Sequence, residues 1–82
     1  MNTKDLKVTD YFRSVRHRPD RAVIKQEWII ATIERPAREC MQADGRIRRW
    51  LYIESAQKYL RVVLLADGET VHNAFFDRSY VP

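Results

Sequence analysis

Apolar and polar residues alternate with a period near two over residues 46–54, 59–65 and 70–76, and this period predicts three β-strands. Asp44-Gly45 precedes the first run and Asp67-Gly68 separates the last two. Asp-Gly between such runs predicts a tight hairpin, because a type I′ turn needs positive φ at both central residues and glycine adopts it without strain. Residues 38–43 supply a further strand ahead of Asp44-Gly45. Upstream the period changes. Residues 26–35 are rich in helix formers, place Ile29, Ile30 and Ile33 on one side, and meet a stop at Pro36, which predicts a helix. Thr9-Asp10 is placed to cap a short helix over Tyr11, Phe12 and Val15, although that run also reads as extended, and His17-Arg18-Pro19-Asp20 breaks it. Residues 1–8 read as a flexible or lead-in arm. The predicted fold is α+β: one or two N-terminal helices packed on a three- to four-stranded antiparallel β-meander, in a single domain over residues 1–82.

Register follows from the turns. With Asp67-Gly68 as a two-residue loop, Ala66 faces Glu69, and counting back pairs Leu64 with Val71, Val63 with His72, Arg61 with Ala74 and Leu60 with Phe75. Leu60, Val62, Leu64, Val71 and Phe75 then share the core face with Asn73. The opposite face carries Tyr59, Arg61, Val63, His72 and Phe76, with His72 diagonal to Arg61. Ile47, Leu51 and Ile53 join the core face if residues 55–58 form a four-residue loop, which sets Tyr52 opposite Arg61 and Trp50 opposite Val63. A three-residue loop without a bulge would reverse the two faces.

One face therefore gathers Arg48, Trp50, Tyr52, Tyr59, Arg61 and His72. The charge balance gives that face weight: 15 Lys+Arg against 11 Asp+Glu make a net +4, and eleven of the fifteen bases are arginine. Arginine grips phosphate with a planar fork and stacks on bases, whereas lysine is a hydrated point charge. Arg48 and Arg61 can hold a phosphodiester and stabilise the charge that builds on it, His72 can move protons near neutrality, and Trp50, Tyr52 and Tyr59 offer flat surfaces to unstacked bases. The set suits metal-free cleavage of RNA through its 2′-hydroxyl, or binding alone. Each residue also has a structural reading. Arg48, Trp50 and Tyr52 can serve cross-strand packing, and His72 can be a hydrogen-bonded structural histidine. Arg61 interrupts an apolar run on a central strand, so it must be exposed or paired. His17 reads as a turn residue, Asp20 as a partner of Arg18 or Arg21, and Trp28 as core or helix–sheet seam.

Other chemistry is thin. Eighty-two residues make a thin core with little room for a deep pocket. The single cysteine, Cys40, excludes an internal disulfide and a multi-cysteine zinc cluster and suits a reducing cytosol. With no apolar leader at Met1–Asp5 and no apolar stretch near the ~20 residues of a membrane span, a soluble, cytoplasmic chain is expected. No Gly-rich phosphate loop, Ser/His/Asp set or metal-spaced histidine pair occurs, so no cofactor or metal is expected. A helix-turn-helix over residues 10–35 is disfavoured by Pro19 and by Gln26, Glu27 and Glu34.

The sequence of Arg21, Ile24, Trp28-Ile29 and Ile33-Glu34-Arg35-Pro36, followed by Asp44-Gly45-Arg46, Leu60-Arg61-Val62-Val63 and Thr70-Val71, resembles small bacterial domains of uncharacterised function. Those domains are distantly similar to the BrnT and RelE/ParE toxin superfamily. The resemblance covers about residues 17–76. It implies helices against an antiparallel sheet and, in the toxin branch, ribonuclease activity neutralised by an acidic antitoxin-like protein. Arg61 then matches the family's strand arginine, His17 lies near its amino-terminal histidine, and Tyr80 is similar to late aromatic residues of some RelE-like enzymes. On this reading Arg61 and His72 are catalytic, and Arg48, Trp50, Tyr52 and Tyr59 bind RNA. The competing reading is a non-catalytic interaction module that binds an acidic protein or nucleic acid, or forms a homodimer through a sheet edge.

Overall fold

The computed structural model describes residues 6–82, and among them three short helices precede a four-stranded antiparallel sheet whose strands lie in chain order. Helix α1 (Asp10–Val15) begins at Thr9, whose hydroxyl accepts the Phe12 N–H at 3.1 Å in the N-cap arrangement. This settles Tyr11–Val15 as helix rather than extended chain. Helix α2 (Pro19–Ala22) is a single turn with Pro19 at its first position, where the missing N–H costs nothing. The segment expected only to break one helix thus also starts another. Helix α3 (Gln26–Glu34) ends before Pro36, and Arg35 leaves helical geometry at φ −138°. Its fully buried residues are Ile29 and Thr32, with Ile30 and Ile33 half-buried beside them. Thr32 donates its hydroxyl to the Trp28 carbonyl at 2.8 Å, which satisfies the buried polar group within the helix.

The sheet comprises β1 (Arg38–Met41), β2 (Ile47–Ile53), β3 (Lys58–Leu64) and β4 (Val71–Phe76). Phe12, Val15, Ile24 and Ile29 pack on its inner face against Ile53, Leu60, Val62, Leu64, Val71 and Ala74. Part of the expected arm is pinned to the sheet. Val8 makes a parallel bridge with Val71, whose N–H donates to the Lys7 carbonyl at 2.8 Å while its own carbonyl accepts from Thr9 at 3.0 Å. The remainder of the arm, residues 1–5, lies outside the described residues. No helix among the described residues is long and apolar enough to cross a membrane.

Both Asp-Gly turns are longer than a two-residue hairpin. Leu65 donates to Thr70 at 2.9 Å and Gly68 to Leu65 at 2.9 Å, enclosing residues 66–69, so Ala66 does not pair with Glu69. The longer loop lets the Asp67 carboxylate accept the Glu69 N–H, the Thr70 N–H and the Thr70 hydroxyl, and these bonds, the hydroxyl first, hold its pKa down at about 2. Gln42 pairs with Arg46 around the other turn, leaving three residues there with Gly45 at φ +91°.

Leu64 pairs with Val71 as expected, but a β-bulge follows and His72 has no partner in the ladder. Beyond it Val63 pairs with Asn73, Val62 with Ala74, Arg61 with Phe75 and Leu60 with Phe76, one residue away from the expected register. The shift exchanges faces: Ala74 and Phe76 turn to the core, whereas Phe75 and Asn73 turn to the side of Arg61. The β2–β3 hairpin differs by two residues instead. Its loop is residues 54–57, closed by Gln57 at φ 56°, and it pairs Tyr52 with Tyr59, Trp50 with Arg61 and Arg48 with Val63. An even displacement preserves faces. Arg48, Trp50 and Tyr52 therefore stay on the side of Tyr59 and Arg61.

Candidate functional site

Strand alternation places Arg38, Cys40, Arg48, Trp50, Tyr52, Tyr59, Arg61 and Phe75 on the sheet face away from α3. Four of them form one cross-strand row, Arg38–Trp50–Arg61–Phe75, that spans all four strands. The Arg61 guanidinium sits 5.6 Å from the Trp50 ring centre and 4.9 Å from that of Phe75. Arg21 approaches Phe75 from α2 at 5.5 Å and extends the row. Cation and aromatic ring thus alternate across the sheet, an arrangement that attracts through the ring quadrupole while presenting positive charge.

Arg61 is paired. Its Nε and Nη2 donate to Oδ2 of Asp77 at 3.0 and 2.8 Å, and the same oxygen accepts the Trp50 indole N–H at 2.9 Å. The other carboxylate oxygen accepts the N–H and hydroxyl of Ser79 at 3.0 and 2.7 Å. Asp77 continues the phase of β4, because its own N–H donates to the Tyr59 carbonyl at 2.9 Å. Its side chain is only 5% exposed, against 21% for Arg61. Burial alone would raise the Asp77 pKa, but hydrogen bonds from Trp50, Ser79 and Arg61 outweigh it and hold the carboxyl far below the usual carboxylate range. The charge expected to be exposed or paired on the central strand is paired.

The chain beyond Asp77 folds back over this face. Tyr80 stacks on Trp50 with ring centres 5.1 Å apart and planes 19° off parallel, and lies 4.7 Å from the Tyr59 ring. Tyr59 in turn meets Tyr52 edge-on at 5.1 Å. Trp50 is consequently buried, Tyr59 half-buried, and Tyr52 exposed at the end of the aromatic chain. Arg48 donates Nε to the neutral Gln42 side chain at 2.9 Å and has no carboxylate partner among the described residues. Arg38, its diagonal neighbour on β1, is exposed and has no carboxylate partner among the described residues.

His72 lies elsewhere. The bulge sets it three residues from Phe75, the partner of Arg61, or about 10 Å along the strand. Its Nδ1 is 3.2 Å from the Thr9 hydroxyl, and its ring stacks on Tyr11 at 5.0 Å. Because that hydroxyl already accepts from Phe12, its proton is free to donate to Nδ1, which suits a neutral imidazole. Burial, aided by the nearby Arg46 charge and opposed by Asp44, lowers the His72 pKa. Arg61 and His72 are therefore not brought together, while Arg48, Trp50, Tyr52, Tyr59 and Arg61 are. His17 sits past the end of α1, beside a shallow cavity shared with Arg13 and Arg16. Among the described residues no group of three or more His, Cys, Asp or Glu is placed to hold a metal ion.

Asp77, Arg21 and Phe75 belong to the site but were not legible as members of it. Asp77 stands two residues after Phe75, which in an extended strand puts both on one face, and this spacing was the available signal. It misleads without the bulge, which decides the face. No family model matches the chain, and neither a curated protein nor a solved structure does.

Proposed function

We propose that this domain is a non-catalytic RNA-binding module. Its sheet face takes a short single strand, with phosphates on Arg38 and Arg48 and a base on the exposed Tyr52 ring. The observation that carries this reading is the division of labour on the face: Arg38 and Arg48 are diagonal neighbours without carboxylate partners among the described residues, whereas Arg61 is neutralised by Asp77 and His72 is engaged by Thr9 and Tyr11. The exposed Arg38 and the half-buried Arg48, whose Nη groups have no acceptor among the described residues, suit phosphate contacts, and the exposed Tyr52 ring suits a base. Cleavage of the RelE type would need a proton-transfer group near the phosphate held by Arg61, and His72 is remote from it. Binding without cleavage is the reading that fits both facts.

Fluorescence anisotropy with a labelled ten-nucleotide single-stranded RNA tests it. Two phosphate contacts on a single strand give a log–log salt slope of about −1.4, hence roughly a sevenfold loss of affinity between 50 and 200 mM salt. Arg38→Ala should lower that slope by about 0.7, and Tyr52→Ala should weaken binding by about 1–3 kcal/mol. Unchanged binding by both variants refutes the proposal. So does cleavage of the labelled RNA that disappears with Arg61→Ala. Equal affinity for polyglutamate and RNA, lost together in Arg38→Ala, would instead favour an acidic protein partner.

A further inference from the structure

A cavity of about 390 Å³ lies between α2, the C-terminal end of β4 and the first residue of β3. Three cations from separate elements converge on it: Arg21 from α2, Lys58 from β3 and Arg78 from the chain just past β4. The one carboxylate on its wall among the described residues is Asp20, whose Oδ2 is 2.7 Å from Arg21 Nη1. Neither Lys58 nor Arg78 has a carboxylate partner among the described residues. The lining therefore carries an excess of two positive charges.

The walls between the cations are aromatic. Arg21 lies 5.5 Å from the Phe75 ring centre and Lys58 5.4 Å from that of Phe76. These contacts hold the cationic heads along the cavity and remove part of their water. Arg21 is the most withdrawn, with a side chain 14% exposed and a buried Nε that has no acceptor among the described residues. Its one countercharge among the described residues, Asp20, is 69% exposed, so solvent weakens that pair. Three cations lining one cavity against a single solvent-exposed carboxylate repel one another, and an anion entering among them would offset that repulsion.

From this convergence we infer that the cavity is a binding site for a phosphate monoester, with the phosphate among Arg21, Lys58 and Arg78 and its organic group against Phe75 and Phe76. A monoester carries a charge of about −1.5 to −2 at neutral pH, which matches the excess, whereas a carboxylate brings only one negative charge. The ligand is either a free nucleotide or the phosphorylated end of an RNA strand. The site does not depend on RNA binding by the open sheet face.

The test is titration of the intact chain, followed by ¹⁵N–¹H correlation NMR, with adenosine monophosphate and with adenosine. The monophosphate should shift the amides of Lys58, Phe75, Phe76 and Arg78 and bind at least tenfold more tightly than the nucleoside. Lys58→Ala/Arg78→Ala, at two exposed positions, should abolish the difference while leaving the far-UV circular dichroism and Tm unchanged. Equal binding of the two ligands, or full monophosphate affinity in the double variant, overturns the inference. A parallel comparison of 5′-phosphorylated and 5′-hydroxyl RNA identifies the source. A gain of fivefold or more that the double variant loses marks the RNA end, and equal RNA binding alongside a retained monophosphate response marks a free nucleotide.

Discussion

Replacing Asp77 by alanine removes the acceptor of the Trp50 indole and of two Arg61 donors in one step, and it also frees the Ser79 N–H and hydroxyl. The indole N–H is buried beneath Tyr80, so leaving it unsatisfied costs about 1–3 kcal/mol. Breaking a fully buried ion pair costs about 3–5 kcal/mol, but Arg61 retains 21% exposure and can turn toward water, which reduces its share to roughly 1–2 kcal/mol. The two contributions sum to about 2–5 kcal/mol, centred on about 3–4 kcal/mol, a large part of the roughly 4–12 kcal/mol available to a domain of this size. Urea denaturation followed by tryptophan fluorescence and far-UV circular dichroism measures it directly, and Tm should fall by roughly 12–30 °C. Asp77→Asn keeps an acceptor oxygen for Trp50 and should cost about half as much. Arg61→Met in the Asp77→Ala background should recover about 1 kcal/mol by removing the stranded charge. The pH dependence has a definite sign: with its folded pKa depressed, Asp77 stabilises fully above its unfolded value near ~3.9, so the gap between wild type and Asp77→Asn should narrow as pH falls below about 4. A loss under about 1 kcal/mol for Asp77→Ala would refute the view that this carboxylate organises the face.

Two further outcomes bear on the fold. The folded pKa of His72 is lowered, so the unfolded ring, titrating near ~6.5, binds more protons, and stability should decline as pH falls from about 6.5 toward the folded value. The urea midpoint of His72→Gln at pH 7.5 and 5.5 should differ less than that of wild type; an undiminished difference would assign the effect to other groups. Gly68 holds φ +72°, and an added Cβ would meet only Ile47 Cδ1 at 3.9 Å, so Gly68→Ala should lose about 1 kcal/mol from backbone strain alone, read from the same urea curves. A loss beyond about 3 kcal/mol would contradict that local accounting.

The strands, the order of elements and the long helix were legible because each rests on a local signal: two-residue alternation, a Thr-Asp cap, a proline stop, glycine at the turns. Faces were partly legible. The β2–β3 pairing was displaced by an even number of residues, so Arg48, Trp50, Tyr52, Tyr59 and Arg61 were correctly grouped even though their individual partners were not. The last strand was different, since one unpaired residue at His72 reversed every side chain after it and hid both Phe75 and Asp77.

That reversal marks the boundary between sequence and tertiary structure. By itself the chain determined an α+β meander with a basic, aromatic sheet face and a central-strand arginine that required either water or a countercharge. Local periodicity and the cost of burying a lone charge suffice for that much. Only the tertiary structure decided where the countercharge comes from. Val71 is held by Lys7 and Thr9, and His72 by Thr9 and Tyr11; with the bulge at His72, the strand carries Asp77 under Arg61 and Trp50. A contact between residues 16 positions apart, reached across a bulge at the far end of the same strand, leaves no periodic trace in the sequence.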